Sequence, residues 1–341
     1  MSFFKKSRTV TIALTAAVAL TLSACSSGSS TSTDGAGNTD VAVGGERFST
    51  ADAETAKLGS DAEAGVFPRT VVHAAGTTEF TAEPKRVVVL DTGELDDVLT
   101  LGITPVGMVT TQGANPVPSY LADKVADVES VGSINELNLE AIAALEPDLI
   151  LGSQLRADKL YPQLAEIAPT VFSIRPGYPW KENFLLIGDA LGKEDAAVAA
   201  LNDYADKVAV IRDSVEPDTT ISAVRFMPER LRLYGNKSLL GVILRDAGLA
   251  RPANQDIDDL AVEISPENID EANADYIFYS SYGQPDATGE TAVVEGSAWK
   301  ALPAVADGKA FRVDDDVWFL GLGPTGARLI VEQLSEYLGV S

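Results

Sequence analysis

The 341-residue chain holds one cysteine, Cys25, and one histidine, His73. A lone cysteine excludes an intramolecular disulfide, so any folded domain must be held by its core. The chain is long enough to bury one, as a single large domain or as two lobes. The same scarcity excludes a transition-metal site built from several His and Cys ligands. It also leaves nucleophilic hydrolysis without its usual base, because His73 is accompanied by no nucleophile elbow. Positive charge is scarce as well: 26 Lys and Arg against 50 Asp and Glu give a formal net charge of −24. So acidic a surface repels nucleic acid and anionic lipid heads. Apolar runs stop short of the roughly 20 residues that span hydrocarbon. The acidic runs Asp96-Asp97 and Asp314-Asp315-Asp316 are the remaining candidates for acid–base work or calcium binding. Neighbours in sequence point different ways, however, and charge runs are usually solvated.

The first informative pattern is at the start. Lys5, Lys6 and Arg8 precede an apolar stretch over 9–22 that is too short for a transmembrane helix and has the form of a signal peptide. It ends in Leu22-Ser23-Ala24-Cys25, which resembles the lipobox of bacterial lipoproteins, in which the cysteine is diacylated and the chain is cut just before it. Residues 1–24 are then a lipoprotein signal peptide, Cys25 the lipidated mature N-terminus, and the protein an extracytoplasmic one anchored to the outer face of the cell membrane, since two or more acyl chains give stable anchoring. Removing the three cations of residues 1–24 takes the formal charge from −24 to −27. The alternative is an ordinary secretory signal with a cysteine at its cleavage point. Residues 25–66, rich in Ser, Thr, Gly, Ala and Asp, read as a flexible acylated tether or a plain spacer.

From residue 67 the pattern turns regular. Two short strands flank Gly76 as a hairpin that contains His73, which reads as structural or merely exposed. A strand over 87–90, a helix through Leu95, Val98 and Leu99, and a strand over 105–109 open an alternation that continues with a helix over 139–145 and strands over 148–151 and 170–174. Residues 181–215 read as one long helix, with a shorter one ending at Gly192 as the variant. Strands over 221–226, 231–234, 276–279 and 311–313 follow, and a final helix runs over 324–338. Alternation of this kind predicts parallel sheets flanked by helices. Gly321-Leu322-Gly323-Pro324-Thr325-Gly326 matches G-x-G-x-x-G but stands too near the C-terminus to open a dinucleotide-binding unit. Pro324 fits the first position of the last helix, whose amides could face an anion.

Five segments, PKRVVVLDTGELDDVLTLGITPVG (84–107), NLEAIAALEPDLIL (138–151), GNKSLLGVILRDAGLARP (235–252), ISPENIDEANADYIFY (264–279) and WFLGLGPTGARLIVEQL (318–334), resemble in order the substrate-binding proteins of iron-siderophore and cobalamin importers of the ABC class. The resemblance implies an α/β fold with two three-layer α/β lobes joined by one long rigid helix and a ligand cleft between the lobes. The first lobe would cover about 67–180, the linking helix 181–215 and the second lobe 216–341. It further implies a monomer that delivers a ferric siderophore to an ABC permease and its ATPase, with heme or cobalamin as alternative ligands of the same fold. An extracytoplasmic enzyme is the rival class. No resident cofactor and no direct metal ligand are expected, because a ferric siderophore arrives fully coordinated and needs aromatic faces, donors and cations.

Arg225, Arg230, Arg232 and Tyr234 lie on two predicted strands and the turn between them, with Arg232 and Tyr234 on one face. Arginine's planar fork suits carboxylate, catecholate or hydroxamate oxygens. The resemblance puts this segment at the cleft and favours Arg225 and Arg230; ion pairing within an acidic protein is the alternative. Tyr282 and Trp318 are loop positions whose rings could meet ligand or core, and a heme would draw an axial donor such as Tyr234 or Tyr282. Arg156, Tyr178 and Trp180 follow strands and fall near the expected rim. Glu140 and Glu267 stand at helix starts in opposite lobes, where the dipole favours carboxylates. The resemblance matches them to paired surface glutamates that engage the permease.

Overall fold

A computed structural model describes residues 47–340 apart from Gln112 and Ala114. The expected signal peptide, Cys25 and residues 26–46 of the tether lie outside the described residues. Strands β1 (Arg69–His73) and β2 (Gly76–Phe80) form the expected hairpin. Six strands then build the first sheet: β3 (Val87–Val89), β4 (Gly107–Thr110), β5 (Glu129–Ser133), β6 (Glu136–Leu137), β7 (Leu149–Ser153) and β8 (Thr170–Ser173), in the order β6-β5-β4-β3-β7-β8. All neighbours run parallel except β6, an antiparallel edge. The chain enters at β3, builds outward through β4 and β5, and returns to the other side of β3 for β7 and β8. Val87, Val89, Leu149 and Leu151 face one apolar layer, and Val88, Leu90, Ile150 and Phe172 face the other. These strands read as unbroken apolar runs because both faces are covered.

The second sheet contains β9 (Ile221–Met227), β10 (Arg230–Tyr234), β11 (Ala261–Ile264), β12 (Tyr276–Ser281) and β13 (Ala310–Arg312), in the order β11-β10-β9-β12-β13. Here the expectation of a wholly parallel sheet is corrected. The β9–β12 and β12–β13 pairs are parallel, while β10 runs against the others and pairs antiparallel with both β9 and β11. Two residues, Pro228 and Glu229, join β9 to β10, with Glu229 at φ +66°. That is a hairpin turn, far too short for a parallel crossover.

The expected linking helix is two helices, Trp180–Ala190 and Glu194–Ser214, separated where Gly192 takes φ +66°, a left-handed conformation that ends helices and suits glycine. The second helix is about 30 Å long at 1.5 Å per residue. It buries Ala197, Tyr204, Val208 and Ile211 on one face, and it packs on the C-terminal helix Pro324–Leu338. Tyr204 and Lys181 both hold Asp246 of the second lobe, at 2.9 and 2.8 Å, fixing the joint between the lobes.

The assignment of residues 25–66 as tether also needs correction over its last part. A 3₁₀ turn, Phe48–Thr50, and a helical turn, Ala51–Thr55, belong to the folded body, with Ala51 fully buried in its core. Gly59 bridges to Val72, and the Ser60 hydroxyl donates to Asp189 at 2.6 Å. The folded domain therefore begins before residue 67.

His73 is buried, with Nε2 3.1 Å from the Thr78 hydroxyl and its ring beside Tyr161. Burial lowers its pKa from 6.5 to about 4. The unfolded chain therefore binds the extra proton first, and His73 contributes stability that is lost as pH falls from about 6.5 towards about 4. His73→Gln is expected to have a shallower acid limb across that window in urea unfolding curves; an unchanged limb would mean that the ring is not held neutral.

Candidate functional site

Along β9 and β10 the pleat sorts the side chains. Val224, Phe226, Leu231 and Leu233 face an apolar cluster with Trp299, while Arg225, Arg232 and Tyr234 face the opposite side, with Arg232 directly across from Arg225. Arg225 is 6% exposed. Its fork meets Asp315 through Nε–H to Oδ1 at 2.6 Å and Nη2–H to Oδ2 at 2.5 Å, and Nη1 donates to the Tyr234 hydroxyl at 3.2 Å. The Ser280 hydroxyl donates to the same carboxylate at 2.8 Å. The guanidinium lies 4.5 Å over the Tyr282 ring and 5.3 Å from Phe319. Burial opposes the Arg225 charge, but Tyr234 and Asp315 outweigh it and hold its pKa above the usual arginine value.

Arg156 of the first lobe follows β7 and donates from Nε to Asp91 at 2.5 Å. Asp91 also caps the helix Thr92–Thr100 by accepting from the Thr92 N–H at 2.7 Å. The charges of Arg225 and Arg156 both act on the Tyr282 phenol, whose pKa burial raises and both cations lower. Tyr282 packs on the Arg225 guanidinium of its own lobe, and the Arg156 charge reaches it from the first lobe. The first-lobe loop at Gly113 runs against it: a Cβ added to Gly113 would lie 3.0 Å from Leu320 and 3.5 Å from Tyr282. Further bonds close this end. The Thr92 hydroxyl donates to the Leu320 carbonyl at 2.8 Å, and Asp316 accepts from the Ser119 N–H at 2.6 Å and from Asn115 at 3.2 Å. The site therefore collects the carboxyl ends of parallel strands from both sheets, the usual ligand position in open α/β sheets.

The expected residues divide clearly. Arg225, Tyr234 and Tyr282 come together, and Arg156 is held by Asp91 at the strand ends of the first lobe. Arg232 shares their strand face but is bound to Glu263, at 2.9 and 3.0 Å, and the exposed Arg230 reaches the same carboxylate at 3.3 Å. The three expected ring contacts are corrected. Trp318, 1% exposed, stacks on Phe278 at 4.7 Å and donates to Gln333; Trp180, equally buried, meets Tyr204 edge-on at 4.9 Å. Tyr178 is buried with its hydroxyl bonded to the backbone of Phe48 and Ala51. All three are core aromatics, as large flat apolar side chains most often are. The acidic runs are only partly solvated: Asp96, Asp97 and Asp316 are buried, while Asp314 is exposed. The amides of Thr325 and Gly326 serve Asp96, at 3.1 and 2.8 Å, not an external anion. Glu140 and Glu267 are exposed in the first turns of their helices, as expected, and Glu140 borders a groove of ≈680 Å³ with Ser133, Asn138 and Gln163.

Sequence reasoning passed over Arg175 and Phe319, and weighed Asp315 only as a member of an acidic run. Arg175 lies just beyond β8, 3% exposed, with its guanidinium 4.4 Å over Phe48 and 5.6 Å from Tyr178, and burial lowers its pKa to about 10. The available signal was position, since Arg175 and Asp315 each fall two or three residues past a strand of a parallel set. Among the described residues no cluster of three or more His, Cys, Asp or Glu side chains is arranged to hold a metal ion.

A family model described as periplasmic binding protein matches residues 87–317, and the chain belongs to that family. It is similar to the probable siderophore-binding lipoprotein YfiY of Bacillus subtilis, 36% identical over 79% of this chain and 87% of the relative. It is also similar to the Fe(3+)-citrate-binding protein YfmC of the same organism, 31% identical over 73% of this chain and 79% of the relative. Among solved structures, Staphylococcus aureus SirA complexed with staphyloferrin B matches with a TM-score of 0.71 and 33% identity, over 80% of this chain and 99% of that one.

The two arginine environments differ in energy. Arg225→Ala leaves Asp315 largely buried and unpaired, and is expected to cost about 3–5 kcal/mol in chemical denaturation. Arg230→Ala, which breaks an exposed pair, should cost about 0–1 kcal/mol. Equal costs would contradict the burial difference.

Proposed function

We propose that this protein captures a ferric siderophore outside the cytoplasm and delivers it to an ABC importer for iron uptake. The observation that carries this reading is the buried Arg225, held by Asp315 with the Tyr282 ring packed on its guanidinium, in a chain whose relatives are named for siderophore and ferric citrate binding. A ferric complex brings its own iron ligands, so the receptor's work is recognition of an anionic, partly aromatic surface. Guanidinium forks and a phenol face supply it. The protein acts as a binding protein, not an enzyme, and needs no resident cofactor. In this reading Cys25 carries the lipid anchor to the outer face of the cell membrane, and the domain works as a monomer. Glu140 and Glu267 engage the permease, which its ATPase drives.

The test is intrinsic fluorescence quenching of the chain from residue 26 onward, titrated with ferric citrate, ferric hydroxamates, ferric catecholates, heme and cobalamin. Saturation by one ferric class is expected, and Arg225→Lys should weaken it about 10–100-fold, the worth of one or two charged hydrogen bonds. Saturation by heme or cobalamin alone would replace the ligand, and no saturation by any of them would overturn the reading.

Docking has its own test. The double variant Glu140→Ala, Glu267→Ala is expected to abolish cellular iron uptake while ligand affinity stays within about twofold, since surface substitutions stay within about 0.5 kcal/mol. A large loss of affinity would remove these residues from a docking role.

A further inference from the structure

Residues 47–55 lie where a tether was expected, yet they touch both lobes. On the first lobe, Arg47 donates from Nη1 to Gln154 Oε1 at 2.9 Å, next to Arg156 in the same short helix. The Ala51 N–H donates to the Tyr178 hydroxyl at 3.0 Å, and that hydroxyl donates onward to the Phe48 carbonyl. The Phe48 ring meets Tyr178 edge-on at 5.7 Å and covers the Arg175 guanidinium at 4.4 Å. On the second lobe, Lys237 donates to the Ser49 carbonyl at 3.3 Å, lies 3.5 Å from Asp52, and sits 4.5 Å over the Tyr178 ring. Gln154, Arg175 and Lys237 all follow the ends of strands, β7, β8 and β10. The segment therefore crosses from lobe to lobe at strand ends, apart from the contacts that Thr92, Asn115 and Ser119 make with Leu320 and Asp316.

We propose that residues 47–55 form a wall of the ligand cleft: a strap that ties Gln154, Arg175 and Tyr178 to Lys237, fixes the spacing of the lobes, and positions Arg175 as a third cleft cation through the Phe48 ring. This rests on the siderophore-binding reading for its ligand, but the strap's hold on lobe spacing does not. A guanidinium packed against two rings that touch each other is held in one orientation by cation–π attraction, so a ligand meets a group that is already ordered and loses less entropy on binding. Phe48, Tyr178 and Lys237 are positioning residues in this scheme, and residues 47–55 are part of the binding device.

The experiment uses the chain from residue 26, which lacks cysteine, so that Ser130→Cys in the first lobe and Glu271→Cys in the second take spin labels cleanly. Interlobe distances are measured without ligand, and ferric citrate, with whichever ferric complex saturates the parent, is then titrated. A narrow distance distribution is expected in the parent, broadened or lengthened in the deletion of residues 47–55 and in the double variant Tyr178→Phe, Lys237→Met. Should the deletion fail to fold, the double variant decides. Phe48→Ala should bind ligand about tenfold more weakly with a faster dissociation rate and little change in melting temperature, Arg175→Lys should match it, and Phe48→Tyr, which keeps the ring, should restore affinity. Unchanged distances in the strap variants, or unchanged affinity in Phe48→Ala, would overturn the proposal. A parent that binds no ferric complex would refute the function, while the distances would still judge the strap.

Discussion

The arrangement of the lobes hangs on one buried carboxylate. Asp96, in the first-lobe helix Thr92–Thr100, accepts from the Thr325 and Gly326 amides at the start of the C-terminal helix and from the hydroxyls of Tyr120, at 3.0 Å, and Thr100, at 3.1 Å. Burial raises its pKa and these bonds lower it, which is how a carboxylate is kept in a core. The helix it caps packs on the linking helix Glu194–Ser214 and on the second lobe, so the bond reaches from the first sheet to the second through a single side chain. Glu94 and Asp97 on the same helix are buried with it. Burial and the neighbouring Asp91 push Glu94 up to about 8, and burial with the Asp96 and Glu94 charges raises Asp97. Burial thus disfavours the charged form of all three acids on this helix, and Asp96 differs from the other two in having hydrogen bonds on both carboxylate oxygens.

With the lobes pinned in this way, the cleft can be lined with cations that the rest of the molecule does not favour. Each is held by an acid of its own lobe, Arg225 by Asp315 and Arg156 by Asp91. A net charge of −24 does not act as a diffuse cloud over these groups. It appears at short range, as carboxylates that fix the direction of a guanidinium fork, with Tyr234, Tyr282 and Phe319 closing off its flanks. Ion pairs of this kind add little net stability, and their effect is to specify geometry. Arg232 and Arg230 share Glu263 further along the same strand face, where exposure makes the second pair weak.

Much of this was legible in the chain because strand and helix periods leave strong marks. The hairpin around Gly76, the buried runs of β3 and β7, and a last helix starting at Pro324 follow directly from apolar spacing and helix punctuation. The placement of Arg232 and Tyr234 on one face follows from the pleat, while the presence of Arg225 on that face depends on the hairpin register. What failed was the assignment of rings and acids. Trp180, Tyr178 and Trp318 follow strands or precede helices just as Tyr282 does, and nothing local says which ring turns inward. Trp318 is core because Phe278 and Gln333 wait for it, forty residues upstream and fifteen downstream. Asp96 and Asp315 look like members of solvated runs, and only their distant partners, Gly326 and Arg225, show otherwise. Arg175 carries no motif and is found only by the position of its strand end. The break at Gly192 was visible, but a long run of helix formers around it favoured continuity.

The beginning of the folded domain shows the same limit from the other side. Residues 47–66 are poor in large apolar groups, and composition alone argues against a packed role. A segment needs few such groups when the body supplies the partners: Ala51 is fully buried, and Phe48, Arg47 and the backbone carbonyl of Ser49 are enough to contact Tyr178, Arg175, Gln154 and Lys237. The backbone does most of the binding here, through bonds to Tyr178 and Lys237, and backbone groups are invisible to a reading of side-chain composition. The folded body is therefore docked from residue 47 onward, some twenty residues earlier than composition suggests. That docked part is held at the junction of the two lobes, where Gln154 and Tyr178 of the first and Lys237 of the second meet it.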